Sequence, residues 1–230
     1  MSAMSTPFHV GLTPGLVTDT AQELTRESHL MAWSIRDLAR RLGVAPSVLY
    51  HHVGGKDLLA RHVVERVVAG LAPPPAGLPW AEWFRTLLLA IFPPLVAHPG
   101  TAGWLLMHGP TFPTLMPIVE AGIASLVRGG FGERAPIGYA VLLNSAVLTI
   151  SLSDDRLLHE EDGPRDHATM MAEFRAAAED RPTVRAMADD FIAPFARGGE
   201  TAERLRADYY RLVVDTTIAG LPTALGRDHG

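Results

Sequence analysis

The chain has 230 residues, 47% of them hydrophobic, with 20 basic and 25 acidic side chains and no cysteine. That length suits one large domain, or a small one joined to a larger one, with enough apolar residues for a sizeable core. The missing cysteines exclude disulfides and thiolate metal sites, and a net charge of −5 argues against a uniformly basic surface but not against a local basic patch.

The first eleven residues lack the basic start and apolar run of a secretory signal. The longest near-uncharged run, 137–152, is interrupted by Asn144 and Ser145 and is too short to span a membrane. A cytoplasmic protein without membrane contact is expected. Alternating β-branched runs are nearly absent while helical spacing recurs, which predicts an all-α fold.

In chain order, Thr13-Pro14 reads as an N-cap followed by proline at the first helical position. Leu16, Val17, Ala21 and Leu24 then form the expected apolar face. Ser34 to Asp37 fits a capping box. Leu38, Ala39 and Leu42 share one face, and Gly43 supplies the left-handed residue that a tight turn needs. Val44 tucks the turn inward, Pro46 starts another helix, and Leu49 with Val53 packs it back. Two short helices joined this way form a helix-turn-helix, which places the start of its second helix outward. From Ser34 to Arg61, Arg36, Arg40, Arg41, Lys56 and Arg61 face only Asp37 and Asp57, a local charge of 5 − 2 = +3.

The prolines at 73–75 must end a helix near Leu71. This divides the chain into 1–72, a helix-turn-helix DNA-binding domain, and 73–230, a larger helical bundle. Further helices are expected near 80–97, 101–108, 114–129, 134–153, 165–179 and 203–221, with polar connectors over 154–164 and around Pro182. The acidic stretch from His159 to His167 has Gly163 where a zinc-type motif needs its second histidine, so a solvated loop is expected.

The residues Leu38-Ala39, Leu42-Gly43-Val44, Leu49-Tyr50, His52-Val53, Lys56 and Leu58-Leu59 resemble the tetracycline-repressor (TetR) family. More weakly, the run from Trp80 to Arg85, His98, Gly109-Pro110 and Gly130-Phe131 resemble the regulatory domain of tetracycline repressors. The resemblance implies a homodimer that binds palindromic double-stranded operator DNA and responds to a small-molecule effector. It puts Arg36 at a position that reads a base edge, where arginine can bond guanine. It puts Pro46, Ser47 and Val48 at the start of the recognition helix, and Ser34, Tyr50, His51 and Lys56 among the DNA contacts, with Lys56 on a phosphate. Between Pro46 and His52 there is no Gln, Asn, Arg or Lys, so Arg36 and DNA shape must carry more of the readout. His52 reads better as a packing residue, and Arg40 and Arg41 fit an ordinary solvated face equally well.

At three positions where tetracycline repressors hold a magnesium–drug chelate, this chain has Ala72, Leu87 and Leu105. None can ligate a metal, so no metal or other cofactor is expected, and the effector is expected to be apolar or aromatic. Phe84, Leu88, Trp104, Met107, His108, Phe112, Met116, Asn144 and Leu148 are the candidate contacts, although apolar residues at this spacing are usually core. Asn144, in an apolar helix, must find a polar partner or cross a dimer interface. The late helices near 134–153 and 203–221 are expected to form the dimer contact, with Val147 and Val213 on it. A regulator controlled by a protein partner, or by nothing, is the alternative within regulation. A helical-bundle enzyme is the alternative outside it, and no catalytic constellation supports that reading.

Overall fold

The computed structural model describes residues 12–157, 167–196 and 199–226. Among these residues no strand occurs; the fold is all-α. Helix α1 (Pro14–Glu27) begins where Thr13 Oγ1 accepts from the Leu16 amide at 3.1 Å. Its buried face carries Val17, Ala21 and Leu24, whereas Leu16 is 44% exposed and belongs to the opposite face. Helix α2 (Ile35–Leu42) has the reciprocal cap expected. The Asp37 amide donates to Ser34 Oγ at 3.2 Å, and the Ser34 amide donates to Asp37 Oδ2 at 2.9 Å. The Ser34 hydroxyl, its amide and then Arg40 hold the Asp37 carboxyl down at about 2. Gly43, at φ 67°, ends α2 in the left-handed region and leads into α3 (Pro46–Val53). After Gly54 and Gly55, α4 (Lys56–Val68) completes a small core with α1 to α3, built on Val17, Leu38, Leu49, Leu59 and Val63.

Helix α4 also touches α5 (Trp80–Val96) and α6 (Thr101–His108), so the small core is continuous with the larger one. Prolines 93 and 94 sit in the last turn of α5. A short tight turn, Pro113–Leu115, enters α7 (Met116–Leu126), and a wide turn, Val127–Phe131, leaves it. Gly130 there has φ 85°, a conformation that few other residues adopt. Helix α8 (Ala135–Leu157) runs 23 residues and packs against α5, α6, α7 and α12 (Gly199–Leu225). Close approach of α8 and α12 uses Gly138, whose missing side chain leaves room for Leu221 and Leu225. Tyr210 on α12 is buried and donates its hydroxyl to the Leu88 carbonyl at 2.6 Å, pinning α12 to α5.

Two expected connectors are helical, at least in part. Helix α8 continues past residue 153, because Asp154 is buried and accepts from the Gly100 amide at 3.0 Å. The stretch around Pro182 is helical: proline opens α10 (Pro182–Met187) as its first residue, and α11 (Ala193–Ala196) follows a wide turn. Helix α9 (His167–Ala177) precedes them, and the expected acidic loop over 158–166 lies outside the described residues. One stretch, Pro113–Asp154, contains a window long and apolar enough to cross a membrane. It is broken at Gly130 and packs on α5, α6 and α12.

Candidate functional site

The helix-turn-helix presents one face outward. Leu49 and Val53 bury the inner side of α3, while Pro46, Ser47 and Tyr50 stand exposed and Val48 is half-buried. The side chains of His51 and His52 lie outside the described residues. Ser34 is committed to its cap, at the solvent edge of α2. Among the cations of α2, Arg40 pairs with Asp37 at 2.9 Å and Arg41 with Glu27 through two hydrogen bonds, one of 3.0 Å. Arg36 is exposed with no ion pair among the described residues, so its guanidinium is available to a nucleic acid.

Lys56 points elsewhere. Its ammonium donates to the Met31 carbonyl at 2.9 Å and to the Trp33 carbonyl, and lies 4.7 Å from the centre of the Trp33 ring. Partial burial pulls its pKa below the ordinary lysine value. The lysine clamps the turn between α1 and α2 rather than reaching outward.

A cavity of about 440 Å³, open to solvent beside Pro110, Ala140 and Asn144, indents the larger helical body. Val68 and Leu71 close it from the α4 side, Leu87, Ile91 and Leu95 from α5, and Leu105 and Leu106 from α6. Leu115 and Val119 line a further wall, and Tyr139, Ala140, Leu143, Asn144 and Val147 line it from α8. No charged side chain is among the lining residues. Burial raises the Tyr139 phenol to about 12, so it is neutral near pH 7. Its ring meets Phe84 edge-on at 5.9 Å and occupies the space a Cβ at Gly122 would need. The cavity therefore offers an aliphatic surface with a phenol and an amide as polar handles, which suits an uncharged, mostly apolar molecule.

Of the nine residues expected to contact an effector, the structure brings only Asn144 to this cavity. Phe84, Leu88 and Phe112 are fully buried core. Met116 and Leu148 are exposed at the surface, and Trp104, Met107 and His108 lie together in an outer groove between α6 and α4. Leu87 and Leu105, noted only because they cannot bind metal, do line the cavity. The lining of α5 follows the row 87, 91, 95, one residue away from the row of Phe84 and Leu88. Both rows are apolar with a four-residue step, so periodicity offers no signal to separate lining from core. Val147, expected on a dimer contact, is buried and lines the cavity; the exposed apolar row of α8 is Ile137, Val141, Leu148 and Leu152.

Hydrogen bonds also link the two cores at the corner between α5 and α6. The Leu30 amide donates to the Pro99 carbonyl at 2.8 Å. His98, buried at the end of α5, places Nδ1 2.7 Å from the Pro94 carbonyl and Nε2 3.0 Å from Gln22 Nε2 on α1. This arrangement has Nδ1–H donating to the carbonyl and Nε2 accepting from Gln22 and, at 3.4 Å, from Arg26. Burial, and then the Arg26 charge, lower the pKa of His98 against the opposing effect of the Pro94 carbonyl.

A four-helix unit with an exposed helix-turn-helix, packed on a larger all-helical body, is a fold shared with TetR-family regulators. ActR of Streptomyces coelicolor, in complex with (S)-DNPA, superposes with a TM-score of 0.65 at 22% identity, over 94% of this chain and 100% of that one. A possible TetR family transcriptional regulator of Streptomyces coelicolor A3(2) gives a TM-score of 0.66 at 24% identity, over 90% and 98%. A TetR variant of Acinetobacter baumannii AYE, in complex with minocycline, gives 0.63 at 21% identity, over 95% and 97%. A curated relative, an HTH-type transcriptional regulator of Saccharopolyspora erythraea, is 24% identical over 194 residues, 82% of each chain. No family model matches the chain.

Proposed function

We propose that this protein is a ligand-responsive transcriptional regulator, acting in the cytoplasm as a homodimeric repressor on palindromic double-stranded operator DNA. Residues 1–72 form the DNA-binding domain, and residues 73–230 sense the effector and dimerise. The carrying observation is the outward face of α3 beside the unpaired Arg36, on a body indented by an uncharged apolar cavity. Arg36 reads a base edge; Pro46, Ser47 and Val48 meet the major groove; Ser34, Tyr50 and His51 lie along the backbone. Two reading helices, related by a two-fold axis through the exposed rows of α8 and α12, would meet half-sites one DNA turn apart, about 34–36 Å. Leu212 and Tyr209 continue that apolar surface on α12.

The effector is an uncharged molecule with an apolar or aromatic body, held in the 440 Å³ cavity. ActR was crystallised with actinorhodin, and the Acinetobacter TetR variant with minocycline; a comparable fold holding such molecules supports this reading. The cavity touches the end of α4 and the inner face of α6, which pack on each other where the body meets the DNA-binding helices. Filling it shifts the balance between two placements of α3 only by the difference in affinity for the two, and about 1.4 kcal/mol gives a tenfold loss of DNA binding.

The test is fluorescence anisotropy with duplexes from the region upstream of the gene, over a range of salt. Saturable binding that weakens with salt, and is released by a compound found in a thermal-shift screen, is the expected result. Binding to no duplex, or release only in the presence of a divalent metal, would contradict it.

A further inference from the structure

Trp104, Met107 and His108 carry the aromatic and thioether character expected of an effector site, yet they lie outside the inner cavity. They border a groove of about 930 Å³. One wall is the turn from His29 to Met31, and another is the start of α4 with Asp57, Ala60 and Arg61. The outer face of α6 and Ser151 of α8 form the floor. Leu106 is the only residue common to this groove and the inner cavity.

The Trp104 ring lies nearly parallel to two others, His108 at 4.2 Å and Phe112 at 5.5 Å, so it stands as a fixed wall. Met107 is 81% and Met31 56% exposed, two large thioether side chains turned to water at the groove. Methionine adapts to flat aromatic surfaces better than branched residues do. Arg61 holds its guanidinium 5.8 Å from the centre of Phe112 and, among the described residues, makes no ion pair. His108 directs Nδ1 at the Trp104 carbonyl, 3.0 Å away, which leaves Nε2 for another partner. Asp57, one turn before Arg61 on α4, balances the single arginine charge. A polyphosphate would meet too little positive charge here, whereas one carboxylate matches the arginine fork.

We propose that this groove is a second small-molecule site, specific for a flat aromatic monocarboxylate. Arg61 holds the carboxylate, and Met31 and Met107 close on the aromatic body. Leu106 aside, its lining is separate from that of the inner cavity. Because its walls belong to α4 and α6, an occupant bridges the DNA-binding helices and the larger body.

The test uses a naphthalene carboxylate as probe on the full chain, followed by NMR of isotope-labelled methionine methyls. Signals are assigned with Met31→Leu and Met107→Leu. Saturable shifts at Met31 and Met107 are expected, weakened about tenfold by Arg61→Gln, which removes the charged hydrogen bonds. Met107→Glu, at an exposed position, should weaken binding similarly by repulsion. Leu143→Trp, which fills the inner cavity, should leave the probe's affinity within about twofold, because the two sites share only Leu106. No shift at either methyl at millimolar probe would overturn the proposal. So would unchanged affinity in both Arg61→Gln and Met107→Glu, or loss of the shifts in Leu143→Trp.

Discussion

Replacing Lys56 with methionine distinguishes two roles for the same side chain. Resemblance to the family puts its ammonium on a DNA phosphate; the structure puts it on the carbonyls of Met31 and Trp33. The Lys56→Met variant keeps an apolar stem and removes the donors. A hydrogen bond to a charged group contributes about 1.5–3 kcal/mol when well buried. Here the site is half-open, water can reach the freed carbonyls, and part of the gain is already offset by desolvation of the ammonium. A combined loss of about 1–2 kcal/mol is therefore expected. For a chain of this size that lowers Tm by about 2–8 °C. Calorimetry measures the stability, and anisotropy across a salt series measures the DNA contact. The clamp predicts a lower Tm and an unchanged slope of log affinity against log salt. An unchanged Tm with a slope reduced by about 1 would refute the clamp and restore the phosphate role.

Ser34→Ala removes the α2 cap that orients Arg36, and should lower stability by about 1 kcal/mol in urea unfolding. Ser34→Thr, which keeps the hydroxyl that donates to Asp37, should restore most of it. Leu143→Trp puts a ring where the effector would sit and should abolish further release by effector; unimpaired release in anisotropy would place the effector elsewhere. His98 has a folded-state pKa below the ordinary value of 6.5, so the stability it contributes is complete above pH 6.5 and is lost as pH falls through the depressed value. Tm should therefore fall more steeply between pH 7 and 5 in the wild type than in His98→Asn; parallel curves would show that His98 is not responsible. Leu148→Glu and Leu212→Glu, both at exposed apolar positions, should give folded monomers by sedimentation with weakened operator binding.

The local signals were legible because each has a short-range cause. Thr13 and Ser34 as caps, Gly43 as a left-handed stop and Pro46 as a first helical residue act within four positions of themselves. The helix-turn-helix follows from them, with Leu49 and Val53 fixing which side of α3 is buried. Helix α8 extends to Leu157 because a distant amide, that of Gly100, satisfies Asp154, a partner no window of sequence reveals. The cavity was the least legible feature. Leu87 and Leu88 are adjacent leucines, and only packing decides that one borders open space while the other lies against other side chains. Asn144 stood out because a buried polar group in an apolar helix needs a partner; it borders the cavity but is exposed, so water can satisfy its amide. Trp104, Met107 and His108 were chosen for their chemistry, and the rotation of α6 turns them outward instead.

Selection of bound duplexes from a random pool tests the central claim most directly, since it requires both a DNA reader and a two-fold assembly. A two-fold DNA reader enriches an inverted repeat whose half-sites are centred one helical turn apart, about 34–36 Å, with Arg36→Ala relaxing preference at one symmetric pair of base positions. Enrichment of no sequence, or of a single half-site without its inverted mate, would contradict it.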